Sequence, residues 1–291
     1  MLRVRAAGVA LALLALADGS GCVVLRHSIS SMTTPLAADL VQSLQEQSDL
    51  QLVHDGGAAF LLVFDGLVRS SPDNDGLLLA AANAQIAYAG AFVGREEAPR
   101  ARAMFAKARD YGLRVLRRRG AFDKVWDRPL DAFASAMPAF GSDDVPALYA
   151  TATAWAGWII SSPDSMQALS EFSKVRALMQ RVLDLAPGCQ HGGPEQFFGI
   201  YYAIQPRGGG QDLAKSKEFF ERAMKFAGPD YLLVRVTYAE FYARYAFDRE
   251  LFEKTLKDVL AHGGDRPEFR LTNAAARRRA QGLLERADDI F

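Results

Sequence analysis

Three side chains that chemistry often uses fall within seven residues, in the stretch "CQHGGPE": Cys189, His191 and Glu195. A thiol, an imidazole and a carboxylate in such proximity raise the question of zinc or of acid–base catalysis. Zinc sites need recurring ligand pairs, either His-Glu-x-x-His on one helix or paired Cys-x-x-Cys and His units. Cys189 and His191 have no such second pair; the remaining histidines are His27, His54 and His262. Gly192, Gly193 and Pro194 instead read as a turn entering a helix, with Glu195 in the first turn complementing the helix dipole. The expectation is no metal, no cofactor and no catalytic residue, with His191 and Glu195 retained as candidates to face a cavity. No G-x-S-x-G elbow is present to support a nucleophilic serine.

Aromatic residues form the second chemical signal. Trp155 and Trp158 share a helix face, with Tyr149 upstream; Tyr201 and Tyr202 follow on a second helix, and Tyr238 and Tyr242 on a third. Such stripes commonly pack a core, but buried tyrosine hydroxyls need partners, which suits the wall of a wet, half-apolar cavity. These seven residues, with His191 and Glu195, are the candidate cavity lining.

The elements that carry them read as helices throughout. Helical periodicity punctuated by Gly, Pro, Asp and Ser runs from Leu36 to the C-terminus, and no stretch alternates as a strand. An irregular stretch is expected over Phe122 to Met137. From Ser165 onward helix pairs recur: Gln180 to Ala186 matches Glu221 to Ala227 at an offset of 41, and Phe220 to Met224 matches Phe252 to Leu256 at 32. Pairs at a period of about 34 are the tetratricopeptide pattern, in which no pair buries its apolar face alone. The fold expected is all-α: degenerate tetratricopeptide-like pairs stacked into a curled solenoid or bundle, as one domain over residues 34–291.

Composition narrows the function. The chain has 291 residues, 50% hydrophobic, with 34 basic and 34 acidic side chains, so its net charge is zero. Zero net charge removes the electrostatic case for nucleic acid. Two arginine runs, Arg117 to Arg119 and Arg277 to Arg279, read as solvated helix faces, with lipid headgroups or an acidic partner as the alternative. The glycine-rich Pro206 to Asp212 lacks the lysine of a phosphate loop and reads as a linker. The N-terminal "MLRVRAAGVALALLALADGSGC" joins two arginines, a short apolar run and small residues ahead of a cysteine. That is a secretory signal over residues 1–21, with Cys22 as the acylated first residue of a lipoprotein and 22–33 as its linker. Val23 favours the outer membrane.

Several longer stretches then become familiar in order and spacing: "KARDYGLRVLRRRGAFDKVW", "DDVPALYATATAWAGWIISS", "VRALMQRVLDLAPGCQHGG", "EFFERAMKFAGPD", "YAEFYARYAFDRELFEKTLKDVL" and "RLTNAAARRRAQGLLERADDIF". Together they resemble the T-component family of TRAP transporters from about Leu36 to Phe291. The resemblance implies a periplasmic lipoprotein, non-enzymatic, partnering the solute-binding (P) subunit of an uptake system. It also implies a central cavity or pore for a hydrophobic or organic-acid ligand, and a homotrimer. The alternative that the repeats leave open is a general tetratricopeptide scaffold for protein assembly in the envelope.

Overall fold

The computed structural model describes residues 42–94 and 97–291, together with Asp39. The signal segment, Cys22 and the linker lie outside the described residues, as do Leu36, Leu40 and Val41 of the first expected helix, whose Leu44 lies in a described helical turn over 42–45.

Fourteen α-helices and no strand occur among the described residues. They are α1 (Leu50–Ser70), α2 (Asp75–Phe92), α3 (Ala98–Leu116), α4 (Gly120–Asp123), α5 (Leu130–Ser135), α6 (Val145–Ile160) and α7 (Met166–Ser170). They continue as α8 (Phe172–Leu185), α9 (Cys189–Ile204), α10 (Leu213–Ala227), α11 (Leu233–Thr237), α12 (Arg249–Ala261), α13 (Arg270–Glu285) and α14 (Ala287–Ile290). A π-helical turn over Tyr238–Ala243 prolongs α11. Short polar side chains start the long helices by accepting free backbone N–H groups: Asp49 from Gln51 and Leu52, Asn74 from Leu77, Asp212 from Lys215 and Asp248 from Leu251.

Neighbouring helices pack along the chain: α2 against α3, α3 against α6, α6 against α8, α9 against α10 and α12 against α13. Close crossings depend on glycine. A Cβ on Gly199 would lie 2.7 Å from the Phe220 ring, and one on Gly112 would collide with the Thr151 hydroxyl. The stretch expected to be irregular over Phe122 to Met137 is more ordered than its pattern. Helices α4 and α5 and a 3₁₀ turn deliver Phe122, Phe133 and Phe140 into the main core, with Phe122 edge-on to both others at 5.3 and 5.2 Å. Four-residue helices carry too few turns to show periodicity, so packing rather than propensity orders this segment.

Both arginine runs are turned onto the chain itself. Arg117 pairs with Asp123 at 2.7 Å, Arg118 with Asp75 at 2.7 Å, and Arg119 with Asp144 at 2.9 Å. Arg277 grips Asp265 and the His262 carbonyl, and Arg279 reaches Glu240 of the π turn at 2.5 Å. Arg278 closes the molecule. It donates to the Ala91 carbonyl and lies 5.3 Å over the Phe92 ring, joining α13 to the end of α2. Helix α13 also touches α1, so the last long helix meets the first two. An open cleft of about 460 Å³ lies at this meeting, lined by Gln42, Gln45, Leu79, Asn83 and Glu268 among others.

Candidate functional site

The passage from α8 into the first residues of α9 has the most unusual backbone among the described residues. Gly188, Gln190, His191 and Gly192 all have positive φ, at 77°, 50°, 57° and 78°. The left-handed region disfavours side chains by about 1–2 kcal/mol per residue, so two adjacent non-glycine residues there must be held by their surroundings. Glu195 supplies one restraint. Its side chain is fully buried, and its two oxygens accept the Gly188 N–H at 3.0 and 3.2 Å. Arg222 of α10 stands 3.6 Å away and balances the charge. The second restraint is steric. A Cβ on Gly192 would lie 2.7 Å from the Ala223 carbonyl, so the turn sits backbone to backbone on α10. Gly193 packs in the same way against the Tyr149 hydroxyl of α6.

The restrained turn presents the His191 ring. It stacks on Tyr231 at 4.5 Å and meets Phe269 edge-on at 5.0 Å, while Tyr231 and Phe269 are 5.3 Å apart. Arg266 lies over Phe269 at 5.3 Å and pairs with Glu268. The titratable rings of the cluster are held toward their neutral forms. The His191 imidazole is held below its usual range by partial burial and then by the neighbouring Arg266. Burial pushes the Tyr231 phenol up to about 12 and the Tyr149 phenol further still. Cys189 is pushed up to about 11 by burial and then by Glu195, so at neutral pH it is a thiol and a poor nucleophile. Among the described residues no three His, Cys, Asp or Glu side chains are grouped to hold a metal. The arrangement offers neutral N–H and O–H groups and aromatic faces, which is binding chemistry.

The other candidates fall into separate sets. Trp155 is buried, and its indole N–H donates to Glu171 at 2.7 Å. Arg109 stacks on Trp158 at 4.3 Å and on Trp155 at 5.2 Å, with its own charge disfavoured by burial and supported by Glu171. Tyr201 stacks on Phe172 at 5.8 Å, and Tyr202 on Phe219 at 5.7 Å, forming a half-buried aromatic surface across α8, α9 and α10. Tyr238 and Tyr242 stack at 4.9 Å within the π turn, where burial raises the Tyr238 phenol to about 12. None of the nine candidates lines the 460 Å³ cleft, nor a shallower one of about 290 Å³ among Pro72, Asp73, Arg114, Arg117, Arg118 and Asp123. Glu195 does more than complement a dipole, since it fastens the turn. Arg109, Glu171, Arg222, Tyr231 and Phe269 were not singled out by sequence reasoning. They lie far along the chain from the residues they serve and carry no motif of their own.

A family profile described as "TRAP transporter T-component" matches residues 46–291. The chain belongs to the TRAP transporter T-component family. A protein of Treponema pallidum (strain Nichols), named "Uncharacterized protein", is 24% identical over 305 residues, covering 94% of each chain. Membership makes this T-component an envelope-associated accessory part of a TRAP system; the family is a transporter component and no enzyme class. The neutral, aromatic character of the His191 cluster accords with that role.

Proposed function

We propose that this T-component binds the solute-binding subunit of its TRAP system and accepts a hydrophobic or organic-acid ligand in a helix-lined cavity. The observation that carries the reading is the family match over residues 46–291, in a chain whose last long helix curls back onto its first. Curled stacks of tetratricopeptide-like pairs work by offering concave surfaces to partners. The ligand end of the proposal rests on the His191 cluster: the uncharged His191, Tyr149 and Tyr231 present donors beside aromatic faces, and Arg266 adds a cation next to them. A carboxylate on an apolar body matches that set. Trp155, Trp158, Tyr201, Tyr202, Tyr238, Tyr242 and the buried Glu195 then shape or support the interior wall. Acylation at Cys22 would hold the domain of residues 34–291 to the periplasmic face of a membrane, the outer one where the cell has it, and a homotrimer is the assembly in which the cavity is read.

Sedimentation velocity of the protein, of the solute-binding protein encoded beside it and of their mixture tests this. A complex of defined stoichiometry is expected. Absence of any complex across concentrations and added organic acids would leave the general envelope scaffold as the better reading.

A further inference from the structure

The end of the π turn carries a second backbone anomaly. Phe247 has φ 57°, and it ends the π turn in a Schellman arrangement: its N–H donates to the Arg244 carbonyl at 3.1 Å and the Asp248 N–H to the Ala243 carbonyl at 2.9 Å. The residue at that position is left-handed and is usually glycine. Elsewhere this chain uses glycine at positive φ between helices, as at Gly188 and Gly264. Here a phenylalanine takes the position, and 68% of its surface is exposed. It therefore pays a conformational penalty without the return of burial. Among the described residues its ring contact is with Arg207, whose guanidinium lies 5.2 Å over it from the glycine-rich loop after α9.

Beside this pair, Arg244 lies over Tyr245 at 5.9 Å. Arg207 and Arg244 are both exposed, and neither forms an ion pair among the described residues. The nearby carboxylates are occupied: Asp248 caps Leu251 at 2.9 Å and Asp288 holds Arg249 at 2.6 Å. Five of the six arginines of the two runs, by contrast, pair with carboxylates of their own chain, and the sixth, Arg278, donates to the Ala91 carbonyl. Exposed aromatic and arginine side chains held in fixed positions are the composition of interface hot spots.

We infer that Phe247, Arg207, Arg244 and Tyr245 form a docking platform for an acidic, partly apolar surface of a folded partner protein, and that this partner is the solute-binding subunit. The inference rests on the functional reading above and assigns its interface to this rim. Phe247 supplies the anchor, kept in place by the left-handed cap, and the two unpaired guanidinium groups supply orientation and attraction.

The test measures affinity between the full-length protein and the purified solute-binding protein by calorimetry, alongside melting temperature. Phe247→Gly is expected to raise the melting temperature or leave it unchanged, because it relieves the backbone, while weakening binding about tenfold or more. Phe247→Tyr keeps the ring and is expected to bind as the wild type does. Arg207→Ala is expected to weaken binding and flatten its dependence on salt. If the wild type binds and Phe247→Gly binds equally well, the platform is overturned while the transporter reading stands. If the wild type itself forms no complex, the reading and the platform fall together.

Discussion

Asn273 offers the sharpest check on how the site is assembled. It is fully buried on α13, and its side chain ties the loop that carries Tyr231 to the rest of the protein. Its oxygen accepts the Leu232 N–H at 3.0 Å; its amide donates to the Asp230 carbonyl at 2.8 Å and to Asp265 at 2.7 Å. Asn273→Ala strands the buried Leu232 N–H, which costs about 1–3 kcal/mol, and removes two donated bonds worth about 1 kcal/mol each. Asp265 keeps its two bonds from Arg277, so part of that second loss is recovered. The net expectation is about 3 kcal/mol, or a fall in melting temperature of roughly 6–12 °C for a domain of this size. Thermal unfolding followed by circular dichroism reads the total, and hydrogen exchange at the Leu232 amide reads the local effect. Asn273→Asp has the same shape but points a carboxylate oxygen at the Asp230 carbonyl and at Asp265, so it should be at least as damaging as alanine. A melting temperature within 2 °C of wild type for the alanine variant, or an aspartate variant milder than the alanine one, would refute the reasoning.

Three further outcomes follow from the same geometry. Glu195→Ala should cost about 3 kcal/mol by orphaning the Gly188 N–H, whereas Glu195→Gln keeps an acceptor oxygen and should cost about 1 kcal/mol; equal losses in urea unfolding would mean that the charge opposite Arg222, and not the hydrogen bond, holds the turn. Arg278→Ala should shift overall stability by less than about 1 kcal/mol, as exposed contacts do, yet speed hydrogen exchange over residues 88–93 at the end of α2; unchanged exchange there would show that the ends meet without it. His191 has its pKa lowered on folding, so the unfolded chain binds its proton more readily, and stability should rise with pH up to its ordinary value of about 6.5 and fall as pH drops below it. His191→Asn, which tolerates the left-handed backbone, should flatten that slope between pH 5 and 7; an unaltered slope would assign the titration elsewhere.

Much of the architecture was legible because long amphipathic helices announce themselves. The helices from α8 to α13 lie where their periodicity placed them, with turns at Pro187, Gly228 and Gly263. Short elements were not legible: α4 and α5 exist because Phe122 and Phe133 fit a core built by α3, α6 and α8. The site was half legible. Reading "CQHGGPE" as a turn located its place in the fold. Two things lay beyond the reach of spacing. One is the run of left-handed residues, since Gln190 and His191 have no intrinsic preference for that conformation and adopt it only because Glu195 and Ala223 hold both sides. The other is the set of partners brought from α3, α10, the loop before α11 and the turn before α13.

The runs of three arginines, read as solvated helix faces, are largely exposed, and they also make contacts with their own chain, with one arginine of the second run joining α13 to the end of α2. Runs arise where a helix end faces several loops at once, as α3 faces the turn before α2, α4 and the segment leading into α6. Such arginines must differ in direction, which the turn after Leu116 provides for the first run and successive helical positions, about 100° apart, provide for the second. Arg207, in the loop after α9, and Arg244, at the end of the π turn, are isolated and form no ion pair among the described residues; Arg207 is brought over Phe247 by the packing of α9 against the π turn. In a chain of zero net charge, attraction to a partner therefore comes from where charges remain unpaired, and the strained, exposed Phe247 stands among those that do.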